Sequence, residues 1–283
     1  MQLLSNYRIS FLFIFCLVIF SLIFWKKQKT YLESFENKIE EKKDYRMKVF
    51  VINLASQTKK LEIFDKNYNK SNLKEFIDYE RFDAVEGKKL NPTDFLTDEA
   101  LQELDDIIMN GKRKRHYELT PGGIGCFLSH LKLYNQLLQD DSTDIYLILE
   151  DDSVFTENLY ESISYLLQNA PSDWDMLYLG MHRRKGNLLK EDNNVFMKPE
   201  GFWGTYAYIV NKKGAKKVVD MVNKTRIDGQ IDAYLSRMQQ RDEINIYGTK
   251  QNMIHSVDFV GSTIQTRIDS NNKETYNFRG YYV

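Results

Sequence analysis

Short apolar runs separated by amphipathic stretches recur along the chain. Lys48-Val49-Phe50-Val51-Ile52-Asn53-Leu54 reads as a buried strand, and Ser56 then caps a helical stretch that carries Leu61 and Phe64. Residues 80–85 form a second extended piece that ends in a turn at Gly87. Residues 92–114 predict an inserted helix on which Leu101, Leu104 and Ile108 make one apolar face. After Pro121-Gly122-Gly123, the residues Phe127, Leu128, Leu131, Tyr134 and Leu138 recur at helical spacing. Thr156 is the predicted cap of a further helix with the stripe Leu159, Ile163, Leu166 and Leu167, ended by Pro171. Strands at residues 175–179 and 204–210 follow, and Asn211 opens a helix through Val218, Val219 and Val222. This alternation of strand and helix predicts an α/β layered fold.

One run stands apart. Ile145-Tyr146-Leu147-Ile148-Leu149-Glu150-Asp151-Asp152 passes from an apolar strand straight into three carboxylates. An unbroken aliphatic run suits a strand covered on both faces, and ligands of open α/β sheets collect beyond the carboxyl ends of such strands. Three adjacent carboxylates repel one another unless a cation sits among them, and oxygen ligands suit Mg²⁺ or Mn²⁺. The same residues are also compatible with an acidic first turn of a helix, favoured by the macrodipole.

The N-terminus departs from the globular pattern. Residues 9–25 are uncharged, apolar and long enough, at the short end, to span a bilayer. Lys26 and Lys27 follow with no small-residue exit site, so residues 1–25 are expected to be an uncleaved single-pass anchor. Arg8 lies on one side and Lys26, Lys27 and Lys29 on the other, which leaves the side of the soluble domain open. Residues 26–47 alternate both charge signs and read as a solvated stem, and residues 48–283 as one catalytic domain. Asn69-Lys70-Ser71 and Asn223-Lys224-Thr225 fit glycosylation acceptors if that domain is lumenal.

Composition narrows the function. A formal net charge of −1 supplies no basic field, so nucleic acid is not an expected partner. Two cysteines, Cys16 and Cys126, one of them in the apolar segment, exclude a disulfide framework in the soluble part. Cys126 reads as a small buried residue. The basic run Lys112-Arg113-Lys114-Arg115-His116 reads as a solvated loop or a contact for an anionic acceptor, diphosphate or membrane surface. Trp174 and Trp203 are core residues or sugar-stacking faces.

Three ordered blocks carry a family resemblance: Val49-Phe50-Val51-Ile52-Asn53-Leu54, then Gly123-Ile124-Gly125-Cys126-Phe127-Leu128-Ser129-His130, then Leu149-Glu150-Asp151-Asp152. With Arg81-Phe82-Asp83-Ala84-Val85-Glu86-Gly87, Gly204-Thr205-Tyr206-Ala207-Tyr208-Ile209 and Ser262-Thr263-Ile264-Gln265, the chain resembles glycosyltransferase family 25, the lipooligosaccharide and procollagen galactosyltransferase group. That resemblance implies a GT-A-like, Rossmann-type nucleotide-sugar-binding sandwich. It also implies an inverting transfer of a hexose, such as galactose from UDP-galactose, to a glycan or hydroxylated protein acceptor, with Mn²⁺ or Mg²⁺ as cofactor. By the same resemblance Asp152 and Glu150 are the metal-contacting residues, with His255 as an added ligand. Asn53, His130, Glu150 and Asp151 then serve the donor.

His130 also fits a hydrogen-bonded core histidine, and the glycines before it allow close backbone approach to a ligand. An inverting transfer needs a carboxylate base, and Asp232 and Asp228 are the candidates, although either also fits a helix cap. The family's arginine after the first strand is replaced here by Lys59 and Lys60, which cannot form a bidentate fork. A catalytically inactive glycan-binding protein and a metal-dependent phosphohydrolase are the other functions these residues allow.

Overall fold

A computed structural model of the protein describes residues 44–110, 118–188, 195–257, 267–268 and 274–275, with side chains omitted for 183–188 and the last two pairs. The chain divides into two compact units, Met1–Asp44 and Tyr45–Val283, and every described element falls in the second. The expected anchor, nearly all of the stem, the 112–116 basic run and Ser262-Thr263-Ile264-Gln265 lie outside the described residues. Among the described residues no helix is long and apolar enough to cross a membrane. The compact unit begins three residues before the expected boundary. Tyr45 packs edge-on against Trp174, and Arg46 pairs with Asp144 at 2.8 Å.

An eight-stranded sheet organises this unit. Strand β1 (Met47–Asn53) runs parallel to β2 (Tyr79–Asp83) and to β3 (Ile145–Glu150). The short β4 (Ser153–Phe155) follows β3, and β5 (Met176–Gly180) returns to the sheet. Strands β6 (Arg183–Leu188) and β7 (Phe196–Trp203) form a hairpin, and β8 (Ala207–Asn211) inserts antiparallel between β3 and β5. With β9 (Ile246–Thr249) the order is β2-β1-β3-β8-β5-β9-β7-β6, a mixed sheet. A small second sheet pairs β4 with β10 (Ile254–Ser256), and a third pairs β11 (Arg267–Ile268) with β12 (Glu274–Thr275).

Alternation along the strands divides the core in two. On one face Phe50, Ile52, Tyr146, Ile148, Tyr208 and Val210 meet helices α2 (Asp98–Asn110), α3 (Pro121–Gln139), α5 (Lys212–Thr225) and α6 (Ile231–Gln240). On the other, Val49, Val51, Leu147, Leu149 and Ile209 meet α1 (Thr58–Tyr68) and α4 (Leu159–Asn169). Side chains two apart share a face, so the period of two carries past the apolar residues into the polar ones at the strand ends. Glu150 continues the parity of Tyr146 and Ile148, and Asn53 that of Val49 and Val51.

Local signals mostly hold, with identifiable departures. Thr120 caps α3 by accepting from the Gly123 N–H at 3.0 Å, with Pro121 in the first turn. Asn211 caps α5 as expected, accepting from the Gly214 N–H at 2.8 Å. Helix α1 starts after Gln57 rather than at Ser56, and its cap makes no side-chain bond. Thr156 donates to the Met253 carbonyl instead of capping α4, which starts after the left-handed Asn158. Helix α2 turns Ala100 and Leu104 inward and leaves Ile108 55% exposed.

Candidate active site

The registers Asn53 with Asp83, Ile52 with Glu150, and Ala207 with both Leu149 and Gly180 bring the carboxyl ends of β1, β2, β3 and β5 to one edge with the amino end of β8. Glu150, Asp151 and Asp152 emerge there, and strand parity sends them to different neighbours.

Glu150 turns toward α3. Its Oε1 accepts from the Thr205 hydroxyl at 3.0 Å and lies 3.6 Å from His130 Nε2, too far for a hydrogen bond. Burial acts to raise the Glu150 pKa, but His130, Thr205 and His182 together hold it below the ordinary range. His130 is fully buried, with Nδ1 2.7 Å from the Tyr208 hydroxyl, which in turn lies 2.6 Å from that of Tyr134. It therefore reaches the site only by backing Glu150, and the structure gives it no open surface on which to meet a donor. The glycine-rich start of α3 likewise approaches the chain itself. A Cβ at Gly125 would stand 2.3 Å from the Val85 carbonyl oxygen, and the Val85 N–H donates to Ser129.

Asp151 turns to the opposite face. Asn53, 2% exposed, donates to Asp151 at 2.7 Å and to the Gln57 carbonyl, while its own Oδ1 accepts from Arg81 Nε at 3.0 Å. Lys60 Nζ stands 3.9 Å from Asp151. Burial pushes the Asp151 pKa up, against the opposing influence of Lys60 and Asn53. Lys60, one of the two lysines where the resemblance leads one to expect an arginine, is thus joined to this network, and Arg81 of β2 supplies a guanidinium to it.

Asp152 turns to β10. Its Oδ2 accepts from the Ser256 hydroxyl at 2.7 Å, while Oδ1 is buried and has no hydrogen-bond partner among the described residues. Burial, reinforced by Glu150, raises its pKa to about 7. Because β10 alternates, Ser256 rather than His255 faces Asp152, and His255 stays exposed opposite Val154. The structure does not bring His255 to the acidic group.

The remaining expected residues separate. Asp228 is exposed and paired with Arg237. Asp232, in the first turn of α6, lies at the site, where Oδ2 accepts from the Gly204 N–H at 3.0 Å and Oδ1 from the Ala233 N–H at 2.7 Å. Burial pushes its pKa up. Trp174 is a core residue, 3% exposed, whereas Trp203 is 41% exposed beside Gly204. Sequence reasoning missed His182, Thr205 as a partner of Glu150, and Ser256. His182 follows β5, donates its N–H to the Trp203 carbonyl and lies near the Tyr206 ring. It keeps solvent exposure at the rim, yet crowding by protein atoms lowers its pKa against the influence of Glu150 and Asp232.

The donor set tests the fit of a cation. Cys126 Sγ, His130 Nε2 and a Glu150 oxygen lie within 4.8 Å of one another. Burial and the nearby carboxylates raise the Cys126 pKa well above its ordinary value, which keeps it a thiol and a poor ligand. The partnerless Asp152 Oδ1 and the neighbouring Glu150 charge instead suit a hard, oxygen-seeking divalent ion.

Residues 46–235 match the profile of glycosyltransferase family 25 (LPS biosynthesis protein). The chain belongs to that family. The matched span contains Asn53, the acidic triplet, His182, Thr205 and Asp232, and ends before Ser256. Procollagen galactosyltransferase 1-A of Xenopus laevis is 28% identical to this family 25 chain over 209 residues, covering 71% of the chain and 32% of the relative. Putative glycosyltransferase R655 of Acanthamoeba polyphaga mimivirus is 28% identical over 184 residues, covering 62% and 52%. The chain therefore matches about a third to a half of the length of these relatives. Among solved structures, a mutant of Drosophila β-1,4-galactosyltransferase 7 in complex with manganese, UDP-Gal and xylobiose overlaps at a TM-score of 0.37 with 10% identity, covering 75% of this chain and 71% of that one.

Proposed function

We propose that this family 25 chain is a divalent-cation-dependent, inverting hexosyltransferase that moves galactose from UDP-galactose to a hydroxyl of a glycan or hydroxylated protein. The observation that carries the reading is the pair Glu150 and Asp152 at the end of β3, with one Asp152 oxygen buried and unpartnered among the described residues. The relatives named procollagen galactosyltransferase support the sugar.

Glu150 and Asp152 would hold Mn²⁺ or Mg²⁺, which when bound neutralises charge on the departing diphosphate. The Thr205 hydroxyl fixes the Glu150 carboxylate, with His130 packed behind it at 3.6 Å, and Ser256 fixes Asp152. Such prior orientation removes the need to reorganise the carboxylates during transfer. Asn53, Asp151, Lys60 and Arg81 form the nucleotide side at the carboxyl ends of β1 and β2, next to the point between β1 and β3 where the strand order reverses. In the reaction the acceptor oxygen bonds to the sugar's anomeric carbon, the bond from that carbon to the diphosphate breaks, and UDP leaves with the electron pair. The hydroxyl proton passes to a base at the rim, where His182 stands on the same side as Glu150.

The test is UDP release by the full-length chain from a panel of UDP-sugars, with Mn²⁺ or EDTA and a mixture of glycan and hydroxylysine acceptors. Release with UDP-galactose that EDTA abolishes and Asp152→Asn lowers by ~10²–10³-fold is expected. Glycan binding by folded protein with no release from any donor would instead establish the inactive binding protein.

A further inference from the structure

The 203–205 turn is held at three successive residues by three different elements. The Trp203 carbonyl accepts from the His182 N–H at 2.9 Å, the Gly204 N–H donates to Asp232 at 3.0 Å, and the Thr205 hydroxyl donates to Glu150 at 3.0 Å. The next carbonyl, that of Tyr206, accepts from the Glu150 N–H at 2.9 Å and from the Ser153 hydroxyl at 3.0 Å. The acidic loop and this turn are therefore joined on both sides, and the position of Glu150 depends on that of the turn.

Gly204 is the position of the turn that only glycine fills without strain. Its φ of +89° suits glycine, and a Cβ there would meet His182 Cδ2 at 2.8 Å and the Tyr206 ring at 3.2 Å. A glycine at positive φ has other conformations open to it, so the observed one needs an external restraint on its N–H. Asp232 provides that restraint. Its other oxygen is engaged by the Ala233 N–H, which fixes the carboxylate plane to the start of α6. Each carboxylate oxygen thus already carries one backbone amide hydrogen bond.

We infer that Asp232 is a positioning residue that clamps the Gly204 amide, and so sets Trp203, Thr205 and Glu150, while the acceptor proton goes elsewhere at the rim. The mechanistic part rests on the transferase reading; the clamp itself does not. An asparagine keeps an acceptor oxygen for Gly204 but removes basicity, so Asp232→Asn separates clamp from base, whereas Asp232→Ala removes both.

Trp203-Gly204 is the one Trp-Gly step in the sequence. Labelling the full-length chain with carbonyl-¹³C tryptophan and ¹⁵N glycine therefore isolates the Gly204 amide in one NMR cross-peak. Hydrogen exchange at that amide is expected to be slow in the wild type and in Asp232→Asn, and faster by about tenfold or more in Asp232→Ala. In turnover, Asp232→Asn is expected to keep kcat within about tenfold, and Asp232→Ala to raise the acceptor KM and lower kcat further. Equal protection in wild type and Asp232→Ala overturns the clamp. A kcat loss of ~10³-fold in Asp232→Asn with Gly204 still protected assigns Asp232 as the base and overturns the inference. Should Asp232→Ala not fold, the paired exchange and turnover results for Asp232→Asn decide between these outcomes. The expected protection pattern in a chain that turns over no donor would uphold the clamp and remove the transferase reading.

Discussion

Asp152 combines a hydrogen-bonded oxygen with a sealed, partnerless one, 104 residues in sequence from the serine that holds it. In the absence of a cation, burial and the Glu150 charge favour its protonated form, with a pKa raised to about 7. A carboxyl raised in the folded state stabilises relative to its charged form at low pH and loses that advantage as pH rises through the folded value. Asp152→Asn is therefore expected to raise the midpoint of thermal unfolding of cation-free protein at about pH 8 and to abolish the stabilisation by Mn²⁺ that the proposed site predicts for the wild type. A calorimetric scan in EDTA and in Mn²⁺ measures both, and a variant still stabilised by Mn²⁺ would place the ion elsewhere. At this scale the sequence exposed the acidic triplet because three carboxylates after an apolar run are locally conspicuous. It could not expose Ser256 over His255, since which of two adjacent strand residues faces Asp152 is set by the register of β10 on β4. Nor could it expose His182, an ordinary histidine until the turn at Gly204 closes against it.

Charged anchors tie the elements together. Asp175 is fully buried at the start of β5, accepting from Lys217 and from the Asn245 N–H at 2.8 Å, with Lys213 at 3.4 Å. It thereby joins β5, α5 and the approach to β9. Asp175→Ala leaves a buried amide without an acceptor and is expected to cost about 1–3 kcal/mol in chemical denaturation, the lysines being partly exposed and able to turn to water. Asp140, which closes α3 before β3, accepts from Lys48 at 2.6 Å, the Ser142 N–H at 2.9 Å and the Tyr146 hydroxyl at 3.0 Å. Its pKa is held far below the ordinary 3.8, first by Lys48 and then by Ser142. A depressed carboxylate stabilises the fold above its unfolded value and loses that contribution as pH falls toward the folded one. The urea midpoint should fall between about pH 5 and about pH 2, and fall less in Asp140→Asn; an identical slope in the variant would rule out this pair as a source.

Strands β1, β3 and β5 and helices α3, α4 and α5 were legible because their apolar residues follow a single period. The hairpin of β6 and β7 was not, since Arg183-Arg184-Lys185-Gly186-Asn187-Leu188 lacks alternation and β7 contains Pro199 and Gly201. β6 is the edge of the sheet, and an edge strand needs no continuous apolar face.

For the molecule as a whole, the apolar segment at residues 9–25 still proposes a single-pass anchor. Full-length protein is then expected to remain with membranes after alkaline carbonate washing and to leave them when residues 1–25 are deleted; release of the full-length chain would remove the anchor from the account. The sequence by itself determined the α/β character, the family and the location of the acidic strand end, because each is written in contiguous residues and local periods. Only the tertiary structure decided that β8 enters antiparallel between β3 and β5, that His130 supports Glu150 from inside the core, and that Asp232 meets Gly204 rather than open solvent. Those outcomes depend on pairings between segments 20 to 104 residues apart in sequence, such as His130 with Glu150, Gly204 with Asp232 at a separation of 28, and Asp152 with Ser256 at 104. Strand register and helix packing select such pairs jointly, and no local pattern of residues encodes which partner arrives.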